Sequence, residues 1–177
     1  MSEFDLKFIQ WADGMRVPQL AEGRQFVGRE EELVYCRAAW DMKKDGETDH
    51  YKLDYDAESE PLNFRLQGDP GVGKNELVYQ LARELGYQEI YSIQGHEELS
   101  PEDLAVVIVP NKDASGPNDP PFVARASQLA TALYNGGLFF FDEINRVPER
   151  SLAPLASVLE GRRRAIYSAL TGLWIEE

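Results

Sequence analysis

The stretch Leu62–Leu85, LNFRLQGDPGVGKNELVYQLAREL, decides how this chain is read. Leu62, Phe64 and Leu66 alternate with polar neighbours, which predicts a strand. Leu77, Leu81 and Leu85 recur at helical spacing with Val78 alongside, and Gly86 follows as a terminating residue. Between the two, Gly68 to Lys74 carries the GxxxxGK pattern of a phosphate-binding loop. Its glycines let backbone N–H groups converge on phosphate oxygens, and the helix behind it aims its positive dipole end at the same anion. The candidate nucleotide contacts run through Asp69, Pro70, Gly71, Val72, Gly73, Lys74, Asn75 and Glu76. Lys74 would reach the β- and γ-phosphates as a point charge.

A second signal lies downstream. Leu138-Phe139-Phe140-Phe141 is a continuous apolar run ending in Asp142-Glu143. Such a run suits a central parallel strand covered on both faces, and acids at its C-terminal end stand where open α/β sheets bind ligands. Asp142 would hold a Mg²⁺ ion, and Glu143 would orient and deprotonate the water that attacks the γ-phosphate of ATP. Two acids capping a buried strand is the plainer reading. With a phosphate loop upstream, the pair points instead to hydrolysis, because phosphoryl transfer to another substrate needs no carboxylate positioned for water.

Composition narrows the field. A chain of 177 residues with 43% hydrophobic content can build about one α/β domain. Its net charge of −13 argues against a general nucleic-acid binder. Cys36 stands alone, so neither an internal disulfide nor a zinc cluster is expected. His50 and His96 read as ordinary surface histidines. With no signal segment and no apolar run of membrane-spanning length, a soluble cytoplasmic protein without membrane partners is the expectation.

The remaining segments alternate in type. Met1 to Arg24 reads as a short helix and an irregular arm. A helix through about Trp40 follows, with Glu30 to Glu32 in its first turn and Leu33, Cys36 and Trp40 on one face. Asp41 to Pro61 reads as an exposed connection, with a short strand near Tyr51 to Tyr55 and an acidic run at Asp54 to Glu60. Gln88 to Gln94 is strand-like, and Ser100-Pro101-Glu102-Asp103 reads as a helix start. Ala105 to Arg125 reads as a hairpin with a flexible tip, followed by a helix ending at Gly136-Gly137. Pro148 opens a helix with Leu152, Leu155, Val158 and Leu159 inward and Gly161 as stop. Arg164 to Ser168 and Leu173 to Glu176 predict a second hairpin. Strands alternating with helices indicate an α/β domain on a parallel sheet.

The segments FVGREEEL, GDPGVGKNEL and LFFFDEINRVP, in that order, resemble the AAA+ ATPases, and DEINR followed by Pro is similar to the MoxR branch. The resemblance runs from about Phe26 to the end of the chain. It implies a P-loop NTPase fold, a three-layer α/β/α parallel sheet, with residues 1–25 as an N-terminal arm and 26–177 as part of the nucleotide-binding domain. It implies that Val27 and Gly28 lie beside the adenine, and that the Ala105–Arg125 hairpin is the helix-two insert, which faces the central pore in ring assemblies. It further implies hexameric rings, a protein client, a von Willebrand factor A-type partner, and remodelling or maturation of other proteins.

Two departures from the family pattern carry expectations of their own. Asn75 stands where a Ser or Thr hydroxyl would ligate Mg²⁺, so weaker or water-mediated coordination and slower turnover are expected. The chain stops at Glu177, where the family continues with a sensor strand, an arginine finger and a helical lid. The sensor strand belongs between the phosphate-loop strand and the Asp142 strand, which suggests a fragment of a longer protein. Arg162 to Arg164 read as a solvated helix end, and Arg146 as a subunit-interface residue. A scaffold that binds nucleotide with little hydrolysis is the rival reading. A kinase or GTPase is disfavoured by Asp142-Glu143 and by the lack of an Asn-Lys-x-Asp signature; the acidic balance argues against a nucleic-acid motor.

Overall fold

Two short helices meet through their apolar faces around the phosphate loop. In the computed structural model, which describes residues 9–40, 42–44, 51–53, 62–117, 119–159 and 164–176, the chain divides into two compact units. One comprises Arg16–Ile90; the other comprises residues 1–15 and 91–177.

In the Arg16–Ile90 unit, α1 spans Glu30–Ala39 and α2 spans Lys74–Glu84. Leu33 and Cys36 of α1 are buried against Leu77 and Leu81 of α2, and Phe26, Trp40, Phe64, Leu66 and Leu85 close the cluster. Burial pushes the Cys36 thiol above its ordinary value, with the Glu32 carboxylate adding to the effect. Arg37 donates two hydrogen bonds, at 2.8 and 2.6 Å, to the two carboxylate oxygens of Glu84, tying the helices polar edge to polar edge. The strands β3 (Met42–Lys44) and β4 (Tyr51–Leu53) form an antiparallel pair, which meets the expected short strand near Tyr51. The acidic run Asp54 to Glu60 lies outside the described residues.

Leu62 to Leu66 departs from expectation: it forms no strand. Phe64 and Leu66 still pack into the apolar cluster, and Trp40 meets Phe64 at a ring-centroid distance of 4.9 Å. Leu62, the first of the alternating set, is exposed, so the alternation marks only Phe64 and Leu66 as inward, and a strand also needs a neighbour for its backbone groups. Among the described residues no strand pairs with this segment.

The other unit is built on hairpins and one parallel pairing. Residues 122–126 (β7) pair antiparallel with 106–110 (β6) and parallel with β1 (Ile9–Gln10). The short helix expected before the arm falls on residues outside the described set, and Ile9–Gln10 is a strand. Trp11 stacks on Tyr134 at 4.1 Å and 5°, docking the segment on α3 (Gln128–Asn135). That helix begins and ends as its sequence predicts. The Ser127 hydroxyl accepts the Ala130 N–H at 2.9 Å, and Gly136 closes it in the left-handed region at φ 68°. The Ser100 segment forms a single 3₁₀ turn, Glu102–Leu104, with Ser100 and Asp103 hydrogen-bonded to each other, instead of a full helix. The tip between β6 and β7 is hydrogen-bonded: Asp119 accepts the N–H groups of Ser115 and Gly116, each at 2.8 Å.

β5 (Glu89–Gln94) pairs parallel with β8 (Phe139–Asp142), Tyr91 facing Phe139 and Gln94 facing Asp142. The strand order is β2-β5-β8, with β2 at Met15–Arg16, so β8 closes this sheet among the described residues. Its four residues are half-buried, which corrects the expectation of a central strand covered on both faces. A 3₁₀ turn, Glu149–Leu152, follows Pro148 and leads into α4 (Ala153–Leu159). Leu155 is buried and Leu152 and Val158 pack beside it, but Leu159 is exposed; Gly161 lies outside the described residues. The last hairpin is β9 (Ala165–Ser168) against β10 (Leu173–Glu176), with Ile166 and Ile175 facing the core. Helices and both parallel and antiparallel strands together make this an α/β chain.

Candidate nucleotide site

The predicted site residues divide between the two units: Val27, Gly28 and Asp69 to Glu76 lie in one, Asp142 and Glu143 in the other.

The loop is shaped by two glycines. Gly71 (φ 78°) and Gly73 (φ 87°) both take left-handed backbone, which a side chain would strain. Gly73 is the N-cap of α2 and, having no side chain, supplies no side-chain cap to the first turn of the helix. Asp69, Pro70, Gly71, Val72 and Gly73 are exposed, and Lys74, Asn75 and Glu76 are half-buried. Lys74 folds back along the loop, its Nζ donating to the carbonyls of Gly68 at 3.0 Å and Asp69 at 2.8 Å. Its charge therefore stands beside the loop's own backbone and the helix's positive end. Glu76 turns away to an ion pair with Arg83 at 2.6 Å.

The Val27–Gly28 segment is connected to this loop through the next residue. Arg29 donates from Nη2 to the Val72 carbonyl at 2.8 Å and from Nη1 to Glu32 at 2.6 Å. The hydrogen bond from Arg29 holds the Glu32 carboxyl below its ordinary value. Gly28, at φ 84°, donates its N–H to Glu30 Oε1 at 3.0 Å, which lowers the Glu30 carboxyl in turn. Val27 is 73% exposed, an apolar side chain left open to solvent. The link from Arg29 to the loop spans 43 residues of chain and has no local sequence signal.

In the other unit, Glu143 follows β8 in left-handed backbone at φ 51°. Its carboxylate pairs with Arg146 Nε at 3.0 Å, both side chains partly open to solvent. Arg146, expected at a subunit interface, thus also has a partner within its own chain. The turn that carries Glu143 is held by Gly95, a residue the sequence reading did not single out. The Gly95 N–H donates to the Asp142 carbonyl at 2.8 Å, and a Cβ on Gly95 would sit 2.5 Å from the Glu143 carbonyl oxygen. Only glycine permits this approach. A glycine directly after a predicted strand was the available clue.

Among the described residues, no group of three or more His, Cys, Asp or Glu side chains is placed to hold a metal ion. No helix among them is long and apolar enough to cross a membrane. His96 is exposed, and His50, Arg162 and Arg163 lie outside the described residues.

Residues 63–171 match the family described as AAA domain (dynein-related subfamily). The match takes in the phosphate loop, the β6–β7 hairpin and the Asp142–Glu143 turn, and covers more than half of the chain. The chain belongs to this AAA family of nucleotide-binding ATPases.

Proposed function

We propose that this chain binds ATP at the Gly68–Glu76 loop and hydrolyses it, as part of a MoxR-type ATPase that remodels or matures partner proteins. The observation that carries the reading is the loop itself: two left-handed glycines, an uncapped helix start and the Lys74 ammonium converge on one place. An anion entering there meets N–H groups and a cation, and Lys74 exchanges its two loop carbonyls for phosphate oxygens. Val27 and Gly28 border the adenine, with Arg29 joining their segment to the loop. Residues 26–177 make up the ATPase part in this reading, with 1–25 as its arm.

Glu143 is the general base, taking a proton from the attacking water. Asp142 and Asn75 offer carboxylate and amide oxygens, the hard donors that suit Mg²⁺. Nucleotide sites hold that ion through one or two protein oxygens plus the phosphates, so a cluster of three carboxylates is not required. A Mg²⁺ ion held by such donors would supply charge neutralisation to the nucleotide's phosphates. Ring assembly, a hexamer, a protein client and a von Willebrand factor A-type partner belong to the same reading and rest on FVGREEEL, GDPGVGKNEL and DEINRVP.

Asn75 favours a second reading, a scaffold gated by nucleotide that hydrolyses it slowly. Its longer amide side chain suits Mg²⁺ geometry less well than a hydroxyl. Turnover against Mg²⁺ concentration, for wild type and Asn75→Thr, separates the two. A wild-type rate within a few-fold of the variant, at equal Mg²⁺ demand, supports a working ATPase. A variant that turns over ATP where wild type only binds it supports the scaffold.

A further inference from the structure

Arg29 makes two bonds, one to a carbonyl of the phosphate loop and one to the first turn of α1, and they do more than join two segments. The carbonyl belongs to Val72, and the peptide group that contains it also contains the N–H of Gly73. In a trans peptide these two groups point in opposite directions. Holding the Val72 oxygen toward Arg29 therefore turns the Gly73 N–H away from Arg29. A flip of this peptide plane turns ψ of Val72 and φ of Gly73, and with a glycine on the Gly73 side it meets little steric resistance there. Nothing in the loop's own residue types selects one orientation.

We propose that Arg29 is a positioning residue for the nucleotide: it locks the Val72–Gly73 peptide so that the loop offers N–H groups, not a carbonyl, to the phosphates. Glu32 completes the device by anchoring the other arm of the guanidinium at 2.6 Å. A planar fork suits this task, because two nitrogens fixed in one plane hold two acceptors at once. The contact also joins the Val27–Gly28 segment to the phosphate loop, so the base-side and phosphate-side segments are set together. Arg29 does not touch the nucleotide in this account; it acts through the backbone of Val72. The inference rests on the reading of Gly68–Glu76 as the nucleotide loop.

The test is equilibrium binding of a fluorescent ADP analogue to the full 177-residue chain, with thermal melting of each variant as a folding control. The variants are Arg29→Ala, Arg29→Lys, Glu32→Ala and Lys74→Ala. Arg29→Ala is expected to weaken binding by roughly tenfold, as for loss of a charge-assisted bond. Arg29→Lys, which keeps the charge but not the fork, recovers only part of it.

Glu32→Ala gives the sharper result. If Arg29 acts merely as a positive charge near the phosphates, removing the neighbouring carboxylate tightens binding. If it acts as a clamp, losing the anchor weakens binding by about two- to fivefold. Tighter binding in Glu32→Ala, or an unchanged affinity in Arg29→Ala, overturns the clamp while Lys74-dependent binding stands. Binding that is absent in wild type, or indifferent to Lys74→Ala, overturns the nucleotide reading and the clamp with it.

Discussion

The phosphate loop and the Asp142–Glu143 turn are both backbone devices built around glycine, yet they are held in place by different means. The loop is open, with most of its residues exposed, and its glycines serve conformation: Gly71 and Gly73 have nothing within 4 Å of where a Cβ would be. Its shape rests on left-handed backbone and on polar contacts from Lys74 and Arg29. At the acid turn the decisive glycine serves space. Gly95 lies against the Glu143 backbone, and the turn is fixed by strand pairing that brings Gln94 to Asp142. The loop is therefore sensitive to local backbone chemistry, and the turn to packing that arrives from 48 residues earlier in the chain, at Gly95.

The largest expected effect tests the division of labour between the two. Glu143→Gln keeps the size of the side chain and removes the proposed base. Turnover is expected to fall roughly 10²- to 10⁴-fold while ATP affinity stays within about twofold of wild type, measured by phosphate release and by titration. Equal loss of binding would place Glu143 in the binding role and erase the contrast. Gly95→Ala comes next. Its methyl group enters the space of the Glu143 carbonyl oxygen at 2.5 Å and the Val147 side chain at 2.8 Å, so the backbone has to shift. A destabilisation of about 1–3 kcal/mol is expected in melting, with turnover falling further than affinity.

The smallest effect is at the β6–β7 tip, a third backbone device, closed by a carboxylate in place of a glycine. The N–H groups of Ser115 and Gly116 hold the Asp119 carboxyl below the ordinary 3.8. A lowered folded value means that these bonds contribute fully above the ordinary carboxylate range and are lost as pH falls through the lower folded value. The protection of the Ser115 and Gly116 amides, their exchange rate relative to the intrinsic rate at each pH, should hold through mildly acidic pH and fall only below it. Protection that is already lost near neutral pH, or that persists at strongly acidic pH, would show that another group closes the tip.

Local chemistry was legible from the residues; pairing was not. Ser127 and Gly136 mark the ends of α3 because capping needs only a hydroxyl or a missing Cβ at the right place. The two hairpins followed from β-branched runs around turn residues. Leu62 to Leu66 failed for the converse reason: its alternation correctly predicts that Phe64 and Leu66 pack inward, but a strand requires a neighbour. Phe139 to Phe141 show the same limit, since an apolar run does not say how many neighbours a strand will have. At the candidate site, Lys74 and its glycines were readable as a motif. The left-handed Glu143, the Gly95 approach and the Arg29 contact were not, because each depends on residues distant in sequence.

The role of the loop as an ATP site is tested most directly by one measurement. Mg²⁺–ATP titrated calorimetrically into wild type and Lys74→Ala should show saturable binding in the first and at least tenfold weaker binding in the second, as loss of a charge-assisted phosphate contact predicts. Equal affinity in the two proteins, or no binding to wild type, would contradict it.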